Sequence, residues 1–201
     1  LRSQEEATIF FFFLLWETAS GAKVLDYLKR RGVKAGVVKE FRLGFAPDSY
    51  ELLTNKLLGQ GFTKEVLLKT GLAATKDTNA DGVYDKFRGR LMFPIFDLFG
   101  RVCGFGGRAL SAEQMPKYLN SPDSVIYNKS KILYGFSHAK KAIKARQRVV
   151  LVEGYFDMIL PYQVGVEETV ATCGTALTAD HVRLIKRFTT NVISSFDRDN
   201  A

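Results

Sequence analysis

The chain has 201 residues and a mass of 22.5 kDa, long enough for one large domain or two small ones. Its apolar fraction of 46% and charged fraction of 25% are typical of a globular protein and exclude a disordered or fibrous chain. Cys103 and Cys173 form no CxxC pair, and His138 and His181 are the only histidines. We therefore expect neither a disulfide scaffold nor a zinc site in this chain.

The amino-terminal part is predicted to be helical. Apolar residues fill positions 9–16, with four consecutive phenylalanines, but a membrane-spanning helix needs about 20 such residues. A secretory signal is disfavoured because Glu5 and Glu6 occupy the region that would have to be positive. We predict a buried helix over residues 5–16, a second helix over 22–31, and helical segments over 50–58 and 64–70.

The middle of the chain is predicted to change from loop to strands. Residues 75–85 are polar and without periodicity, which predicts a loop. Residues 91–96 and 101–105 flank Gly100 in the manner of a hairpin. The glycines of residues 104–107 match neither GxGxxG nor a Walker A sequence, so we expect them to allow close backbone approach within a strand.

The carboxy-terminal part alternates strands and helices. Val149–Val152 is a continuous apolar run, typical of a strand buried on both faces. A helix to about Val164, a strand over 169–173, a helix from the N-cap Thr178 to 188 and a strand over 191–196 follow. This order predicts a parallel βαβαβ unit with right-handed crossovers. The fold class is therefore α/β, with an α+β amino-terminal subdomain over residues 1–144 and the parallel unit over 145–201.

The net charge of +8 is unevenly distributed along the chain. Residues 86–148 hold 13 basic and 3 acidic residues, whereas residues 149–201 carry a net charge of −3. Because mixed charges would keep such a segment equally soluble, we interpret the excess as the footprint of a nucleic acid or another polyphosphate. Arg88 and Arg90 would share one face of an extended chain. Basic and aromatic side chains in one groove suit single-strand binding, and the candidates are Arg88, Arg90, Arg108, Lys117, Tyr118, Asn120 and Lys129.

Acidic residues follow two of the predicted parallel strands. Glu153 follows the first strand, and Asp197 and Asp199 follow the third, so all three should lie at the same edge of the sheet. Asp157 comes one helical turn after Glu153. Carboxylates without His or Cys are hard oxygen ligands that suit Mg²⁺ and support phosphoryl transfer. The alternative is that they are ordinary solvated loop residues. A Cys173–His181 nucleophile is disfavoured because nothing in the sequence orients that pair.

These segments resemble the bacterial replicative DNA primases. Residues 152–157 (VEGYFD), 171–177 (ATCGTAL) and 196–199 (FDRD) resemble the Toprim segment of those enzymes. Upstream blocks at 41–47, 87–95, 104–108, 116–121 and 133–135 occur in the order of the family. Arg198 replaces the usual glycine between the two aspartates, and Cys173 replaces an apolar residue. The chain stops at Ala201, before a further Asp-rich motif and a helical subdomain, and it lacks the zinc module and the helicase-binding region. We therefore expect an incomplete metal site.

The resemblance implies a DNA-directed RNA polymerase that synthesises short RNA primers de novo on single-stranded DNA during replication. It implies Mg²⁺, or Mn²⁺ in its place, with Glu153, Asp197 and Asp199 as catalytic residues and metal ligands and Asp157 as a further ligand. Residues 145–201 would be a Toprim domain. The implied partners are the DNA template, ribonucleoside triphosphates, the RNA primer and, in the primosome of the bacterial cytoplasm, the replicative helicase. The basic candidates would guide the template or hold the triphosphate.

Two other functions stay open at this point. A Toprim-type nuclease or topoisomerase fragment would carry the same acidic residues. A non-catalytic module that binds single-stranded nucleic acid would keep the basic groove without the chemistry. Metal-dependent incorporation of ribonucleotides on a single-stranded template separates the primase from both, whereas nicking of supercoiled DNA would favour the nuclease.

Overall fold

A computed structural model describes residues 1–76 and 79–196, which form two compact units. The first unit comprises residues 1–95 and 101–127, and the second comprises residues 96–100 with the described residues from 128 onward. The predicted domain boundary after residue 144 stays a prediction. The helices and strands of the first unit are α1 (Arg2–Glu17), α2 (Ala19–Arg30), α3 (Ala35–Glu40), β1 (Gly44–Ala46), α4 (Leu52–Gly59), α5 (Lys64–Lys69), β2 (Ala73–Lys76), β3 (Asn79–Asp85), β4 (Arg90–Phe96), β5 (Val102–Ala109) and β6 (Tyr118–Asn120).

Helix α1 is the buried helix that the apolar run predicts. Phe11 and Leu15 are almost fully buried, and the Phe11 ring meets the ring of Phe105 on β5 at a centroid distance of 5.5 Å. The helix ends at Thr18, whose hydroxyl accepts a hydrogen bond from the Gly21 N–H and so caps α2. Among the described residues, no single helix is long and apolar enough to span a membrane, and α1 with α2 would qualify only as a pair bent by 86°.

A four-stranded sheet in the order β1-β4-β5-β6 forms the core of the first unit. Strand β1 pairs antiparallel with β4, and β6 pairs antiparallel with β5, with Arg108 opposite Tyr118. The adjacency of β4 and β5 confirms the predicted pairing of the two strands around Gly100. Strand β5 continues to Ala109, so its glycines lie within a strand as expected.

The predicted loop over residues 75–85 is wrong. Strands β2 and β3 pair antiparallel there, with Ala74 opposite Tyr84 and Thr75 opposite Val83. Thr75 is exposed and Val83 and Tyr84 are half-buried, so the hairpin has no strongly apolar face. Backbone hydrogen bonds hold the two strands together, and they do not depend on the polarity of the side chains. The sequence of the hairpin therefore shows no alternation of apolar and polar residues.

The second unit has the predicted parallel α/β arrangement. Its elements are α6 (Phe136–Arg146), β7 (Val149–Val152), α7 (Tyr155–Gln163), β8 (Thr169–Ala171), α8 (Ala179–Lys186) and β9 (Val192–Ser194). Strand β7 lies in the centre, in the order β8-β7-β9, and its Val150 pairs with Thr169 and Ile193 in parallel register. The Thr178 hydroxyl accepts from the His181 N–H and caps α8 as predicted.

Several cations of the basic segment have structural partners within the second unit. Glu168 is completely buried, and its carboxylate accepts from Arg146 and, at 2.8 Å, from Arg148 Nε. Lys140 donates to the carbonyl oxygen of Leu98 at 2.7 Å, and Lys144 lies over the Phe188 ring. Part of the positive charge at the end of segment 86–148 thus pairs with a buried carboxylate within the fold, and the interpretation of the segment as a nucleic-acid footprint stays a prediction.

Candidate nucleic-acid and metal-binding site

A cationic pocket of about 280 Å³ lies in the first unit. Lys86, Arg88 and Arg90 provide three positive charges, and no acidic side chain is among the described residues of its wall. Three positive charges on one pocket wall attract phosphate groups. Its lining residues are Ala74, Tyr84, Lys86, Arg88, Arg90, Gln114, Met115, Pro116 and Leu119.

Arg88 is held in place by aromatic rings and a backbone carbonyl. Its Cζ lies 4.3 Å from the centroid of Tyr50 and 5.1 Å from that of Tyr84, within the range of cation–π interaction. Its Nη1 donates to the carbonyl oxygen of Asp85 at 2.8 Å. The guanidinium is therefore oriented by two rings and a neutral carbonyl group, which hold it without neutralising its charge.

The Asp85 carboxylate binds helix α4. It is almost fully buried and accepts hydrogen bonds from the backbone N–H groups of Leu53 and Thr54 at 2.8 and 2.7 Å. The Thr54 hydroxyl adds a third hydrogen bond at 2.6 Å. An anion at a helix N-terminus is stabilised by the unpaired N–H groups and by the helix dipole. The nearest carboxylate in sequence to Arg88 is thus engaged elsewhere.

Arg90 has a different role from Arg88. It is 3% exposed, and its Nη1 donates to the carbonyl oxygens of Gly107 and Pro116 at 3.2 and 2.9 Å. Burial, followed by the positive charge of Arg88, lowers the pKa of Arg90. A Cβ at Gly107 would lie 2.9 Å from Arg90 Cδ, so glycine is needed at that position for the arginine to fit. The guanidinium thereby ties β4 to β5 and to the segment that leads into β6.

The predicted reason for grouping Arg88 with Arg90 is wrong, although both line one pocket. Gly89 between them has φ of +59°, so the chain is not extended there. Glycine adopts this left-handed conformation without the steric cost that a side chain would add. The turn at Gly89, rather than strand alternation, brings both arginines to the pocket.

Arg108 and Tyr118 form a second group in the first unit. Arg108 Nη1 donates to the Tyr118 hydroxyl at 2.7 Å, and Arg108 Cζ lies 5.4 Å from the Tyr118 ring centroid. Neither residue lines the cationic pocket, whereas Leu119, the next residue on β6, does. Successive side chains of a strand point to opposite faces, so the side chains of Tyr118 and Leu119 lie on opposite faces of β6. Lys117 and Asn120 are close to Tyr118 in the sequence. Lys117 is exposed, and Asn120 is half-buried.

Lys129 belongs to the second unit. Its carbonyl oxygen lies 2.9 Å from Nε2 of the fully buried His181, and Nδ1 of that ring accepts from the Thr178 N–H at 3.3 Å. Both ring nitrogens thus have hydrogen-bond partners in the neutral imidazole with the proton on Nε2. Burial lowers the pKa of His181, against the raising effect of its hydrogen bonds to carbonyl oxygens. This histidine holds the segment before α6 to α8, as a structural residue.

The acidic residues that the structure describes lie at the carboxyl end of β7. Glu153 is exposed and lines a cavity of about 350 Å³ with the loop after β8 and Phe196. Asp157 is exposed, and its Oδ2 accepts from the Gly154 N–H at 3.0 Å, which caps α7. Asp197 and Asp199 lie outside the described residues, and Phe196 directly precedes the first of them.

These carboxylates are suitable donors for a divalent cation. Glu153 and the second oxygen of Asp157 are hard oxygen ligands at one sheet edge, as Mg²⁺ prefers. In the part of the chain that the structure describes, no three acidic, histidine or cysteine side chains come together as a metal-binding group. The assignment of Glu153, Asp157, Asp197 and Asp199 as metal ligands stays a prediction.

Sequence reasoning missed four residues around these sites. Tyr84 falls in the stretch predicted to be a loop, and Tyr50 begins a predicted helical segment far from Arg88 in sequence, so no motif links either ring to that arginine. Tyr27 and Arg31 on and just after α2 lie beside Arg108, although about 80 residues separate them along the chain. The only sequence signals for Tyr27 and Arg31 are their separation of four residues, which places them side by side on a helix, and the basic run 29–34 that contains Arg31.

Comparison with known families identifies the chain. Residues 11–140 match the family model of the DNA primase catalytic core, N-terminal domain, and residues 150–201 match a Toprim-like model. The chain belongs to the DnaG-type bacterial DNA primases. This confirms the resemblance that the sequence motifs indicate, and with it the α/β fold class with a partial Toprim unit.

Individual primases agree with this assignment. The chain is 42% identical over 185 residues to the DNA primase of Synechococcus elongatus, covering 90% of this chain and 26% of that protein. It is 38% identical over 192 residues to the primase of Listeria monocytogenes, covering 95% and 30% respectively. The chain thus spans about a quarter to a third of the length of these curated relatives.

Solved primase structures have the same fold. The RNA polymerase domain of Mycobacterium tuberculosis primase DnaG superposes with a TM-score of 0.91 at 32% identity, covering 99% of this chain and 66% of that one. A DnaG primase catalytic domain bound to single-stranded DNA superposes with a TM-score of 0.89 at 37% identity, covering 99% and 61%. At these identities the similarity extends beyond the fold to the family.

Proposed function

We propose that this chain is part of a primase core that binds single-stranded DNA and contributes to the synthesis of short RNA primers during replication. The observation that carries the proposal is the cationic pocket of Lys86, Arg88 and Arg90, in a chain that belongs to the primase family. A structural relative at 37% identity is described as bound to single-stranded DNA. The same relationship favours a primase over a Toprim-type nuclease or a topoisomerase.

The pocket supplies sequence-independent affinity for a polynucleotide. Lys86 and Arg88 would each neutralise a phosphate and release its counterions, which makes binding weaken steadily with salt. Tyr50 is 54% exposed beside Arg88, so a base could stack on it while the guanidinium contacts the backbone. Arg90 would act indirectly, by fixing the strands that carry the pocket.

The acidic edge of the second unit would support nucleotidyl transfer. Glu153, with Asp197 and Asp199, would hold Mg²⁺, or Mn²⁺ in its place. Asp157, whose Oδ2 caps α7, would be a further ligand through its second oxygen. When bound, such ions supply charge stabilisation for phosphoryl transfer. Glu153 is exposed at the mouth of the cavity, where it can also accept a proton from an attacking hydroxyl group.

The partners of this proposed core follow from the reaction. They are the DNA template, ribonucleoside triphosphates as substrates and the RNA primer as product. The family assignment supports a place in the bacterial cytoplasm at the replication fork, where the replicative helicase would be a partner.

The test is ribonucleotide incorporation on single-stranded DNA. It uses this chain and a chimera in which it replaces the matched 192 residues of the Listeria monocytogenes primase. The proposal expects template-dependent RNA products with Mg²⁺, and a loss of about 100-fold or more in the Glu153→Gln chimera with DNA binding retained. Nicking of supercoiled DNA would instead support a nuclease. DNA binding without RNA synthesis by either protein would support a non-catalytic module.

A further inference from the structure

Asp85 is hydrogen-bonded to two members of the group of side chains that surrounds Arg88. Its backbone N–H donates to the carbonyl oxygen of Tyr50 at 2.6 Å, and its own carbonyl oxygen accepts from Arg88 Nη1 at 2.8 Å. The rings of Tyr50 and Tyr84 lie 5.9 Å apart, with the Arg88 guanidinium near both. We call Tyr50, Arg88 and Tyr84 the arginine stack. Asp85 is bonded to two of its members and follows the third on β3.

The carboxylate of Asp85 provides the cap that helix α4 lacks locally. Glu51 is the N-cap residue of α4, but within the described part of the chain its side chain makes no capping hydrogen bond. The Asp85 side chain, which is 3% exposed, instead accepts from the N–H groups of Leu53 and Thr54. The first N–H groups of a helix need such acceptors, and loss of a capping side chain destabilises the helix end. Because Tyr50 lies two residues before α4, we expect the position of its ring to depend on this cap.

Charge alone would argue against a carboxylate at this position. Asp85 directly precedes Lys86, which lines the cationic pocket, and a nearby negative charge reduces the attraction of a pocket for phosphate groups. The Thr54 hydroxyl adds a third hydrogen bond to the carboxylate at 2.6 Å, so both carboxylate oxygens are engaged by α4. A charge effect of Asp85 would therefore weaken DNA binding, whereas a geometric effect would strengthen it. Because the two effects have opposite signs, substitution of Asp85 separates them.

We propose that Asp85 is a positioning residue that holds the Tyr50 ring beside Arg88, so that a base and a phosphate are bound together. Asp85 itself is buried and acts through the cap of α4 and through its two backbone hydrogen bonds. Tyr50, which is 54% exposed, presents its ring to the base, and the Arg88 guanidinium beside it contacts the phosphate. The inference rests on the proposed function, because it concerns how the arginine stack is organised for DNA.

The test is a double-mutant cycle in DNA binding, measured by the fluorescence anisotropy of an oligothymidylate of about 15 nucleotides across a salt series. Asp85→Ala removes the cap, Tyr50→Leu removes the ring, and the double variant removes both. Asp85→Asn removes the same charge as Asp85→Ala but keeps one acceptor oxygen for Thr54. Asp48→Ala is the matched control, because Asp48 is exposed and its Cβ lies 3.7 Å from the position that a Cβ at Gly89 would occupy.

Circular dichroism checks that each variant is folded at the temperature of the binding assay. If Asp85→Ala does not fold, Asp85→Ser takes its place in the cycle. The single hydroxyl of serine cannot accept from Leu53 and Thr54 in the way that two carboxylate oxygens do.

A positioning role predicts that Asp85→Ala weakens oligonucleotide binding about fivefold, although it removes a negative charge. Tyr50→Leu should lose about as much, and the double variant should lose about fivefold rather than about 25-fold, because both substitutions disable the same ring. Asp85→Asn should lose less than about twofold, and Asp48→Ala should bind at least as tightly as the unchanged chain. The salt dependence of Asp85→Ala should be unchanged, because Lys86 and Arg88 keep their charges.

Four outcomes would overturn the positioning role. Tighter binding by both Asp85 variants would mean that its charge dominates, and additive losses in the double variant would mean that Asp85 and Tyr50 act separately. Normal binding by folded Asp85→Ala would leave Asp85 as a helix cap only, and normal binding by Tyr50→Leu would remove the ring that it is proposed to hold. In each of these cases the unchanged chain still binds DNA, so the proposed function stands. Failure of the unchanged chain to bind the oligonucleotide at low salt would overturn both proposals.

Discussion

Arg90 and Pro116 are joined by a hydrogen bond of 2.9 Å from a buried guanidinium to a backbone carbonyl oxygen. The same nitrogen also donates to Gly107, so one side chain of β4 fixes the route of the chain between β5 and β6. Arg88, two residues earlier, lies against the rings of Tyr50 and Tyr84 instead. Neighbouring arginines of one motif thus have different surroundings, and we propose that Arg90 serves stability and Arg88 binding.

The first prediction is that Arg90→Gln destabilises the first unit far more than Arg88→Gln. Loss of the Arg90 guanidinium leaves two carbonyl oxygens without their donor and should lower the free energy of unfolding by about 2–3 kcal/mol. Arg88→Gln removes partly exposed contacts and should cost less than about 1 kcal/mol. Urea unfolding followed by the fluorescence of Trp16, the single tryptophan, measures both. Similar midpoints for the two variants would contradict this division of roles.

A second prediction concerns the buried Glu168. Burial alone would raise the pKa of Glu168, but its backbone hydrogen bond and those from Arg148 and Arg146 lower it overall. Its contribution to stability is therefore present above the ordinary value of 4.5 and is lost as pH falls through the lower folded value. Glu168→Gln should lose about 1–3 kcal/mol at pH 7 and show a flatter decline below pH 5.

The measurement for Glu168 is urea unfolding by circular dichroism at pH values from 7 to about 3, with hydrogen exchange of the β7 and β8 amides to locate the effect. The exposed pair of Lys69 and Glu65 provides the control. Glu65→Gln should change stability by less than about 0.5 kcal/mol, as is usual for a solvated pair. An equally small effect of Glu168→Gln would show that the two arginines do not stabilise the sheet.

The third prediction uses the titration of His181. Its pKa is lowered by burial, so the folded protein resists protonation at pH values where the unfolded chain already takes up a proton. The free energy of unfolding should therefore fall as pH drops below the ordinary value of 6.5. His181→Gln should reduce this fall between pH 7.5 and 5.5, as measured by urea midpoints. An unchanged slope in the variant would assign the pH dependence to another group.

A fourth prediction separates two functions of Asp157. Its Oδ2 accepts from the Gly154 N–H, and an asparagine can accept the same hydrogen bond without the charge. Asp157→Ala should therefore lose about 1 kcal/mol of stability, whereas Asp157→Asn should lose less than half of that. If Asp157 is also a metal ligand, Asp157→Asn should weaken Mn²⁺ binding, measured by calorimetry, while remaining stable. Unchanged Mn²⁺ affinity in Asp157→Asn would leave this residue as a helix cap only.

The parallel unit could be predicted because its signals are local. Val149–Val152 is uniformly apolar, Thr178 is a good N-cap, and short links leave few possible topologies. Helix α6 is absent from the sequence prediction although Phe136, Ala139 and Ile143 have helical spacing. Lysine and arginine dominate that segment, and their charge pattern indicates a ligand rather than a helix. The buried Glu168 that pairs with two of the arginines lies beyond the basic segment in sequence.

The candidate site could be predicted in composition but not in arrangement. The motifs pick out Arg88, Arg90, Arg108 and Tyr118, yet they give no sign that Arg90 is buried or that Arg108 faces α2. Both facts depend on contacts between segments that are 17 to about 80 residues apart. Spacing of this kind leaves no periodicity in the sequence, so only the folded chain reveals it.

The most direct test of the account is single-stranded DNA binding by anisotropy across a salt series, with Arg88→Gln and Lys86→Gln compared with Lys69→Gln. All three substitutions remove one charge from the first unit, but Lys69 pairs with Glu65 outside the cationic pocket. We predict that each pocket variant makes the plot of log affinity against log salt shallower by about 0.7, while Lys69→Gln leaves it unchanged. Equal slopes for all three variants would contradict the claim that this pocket binds the DNA backbone.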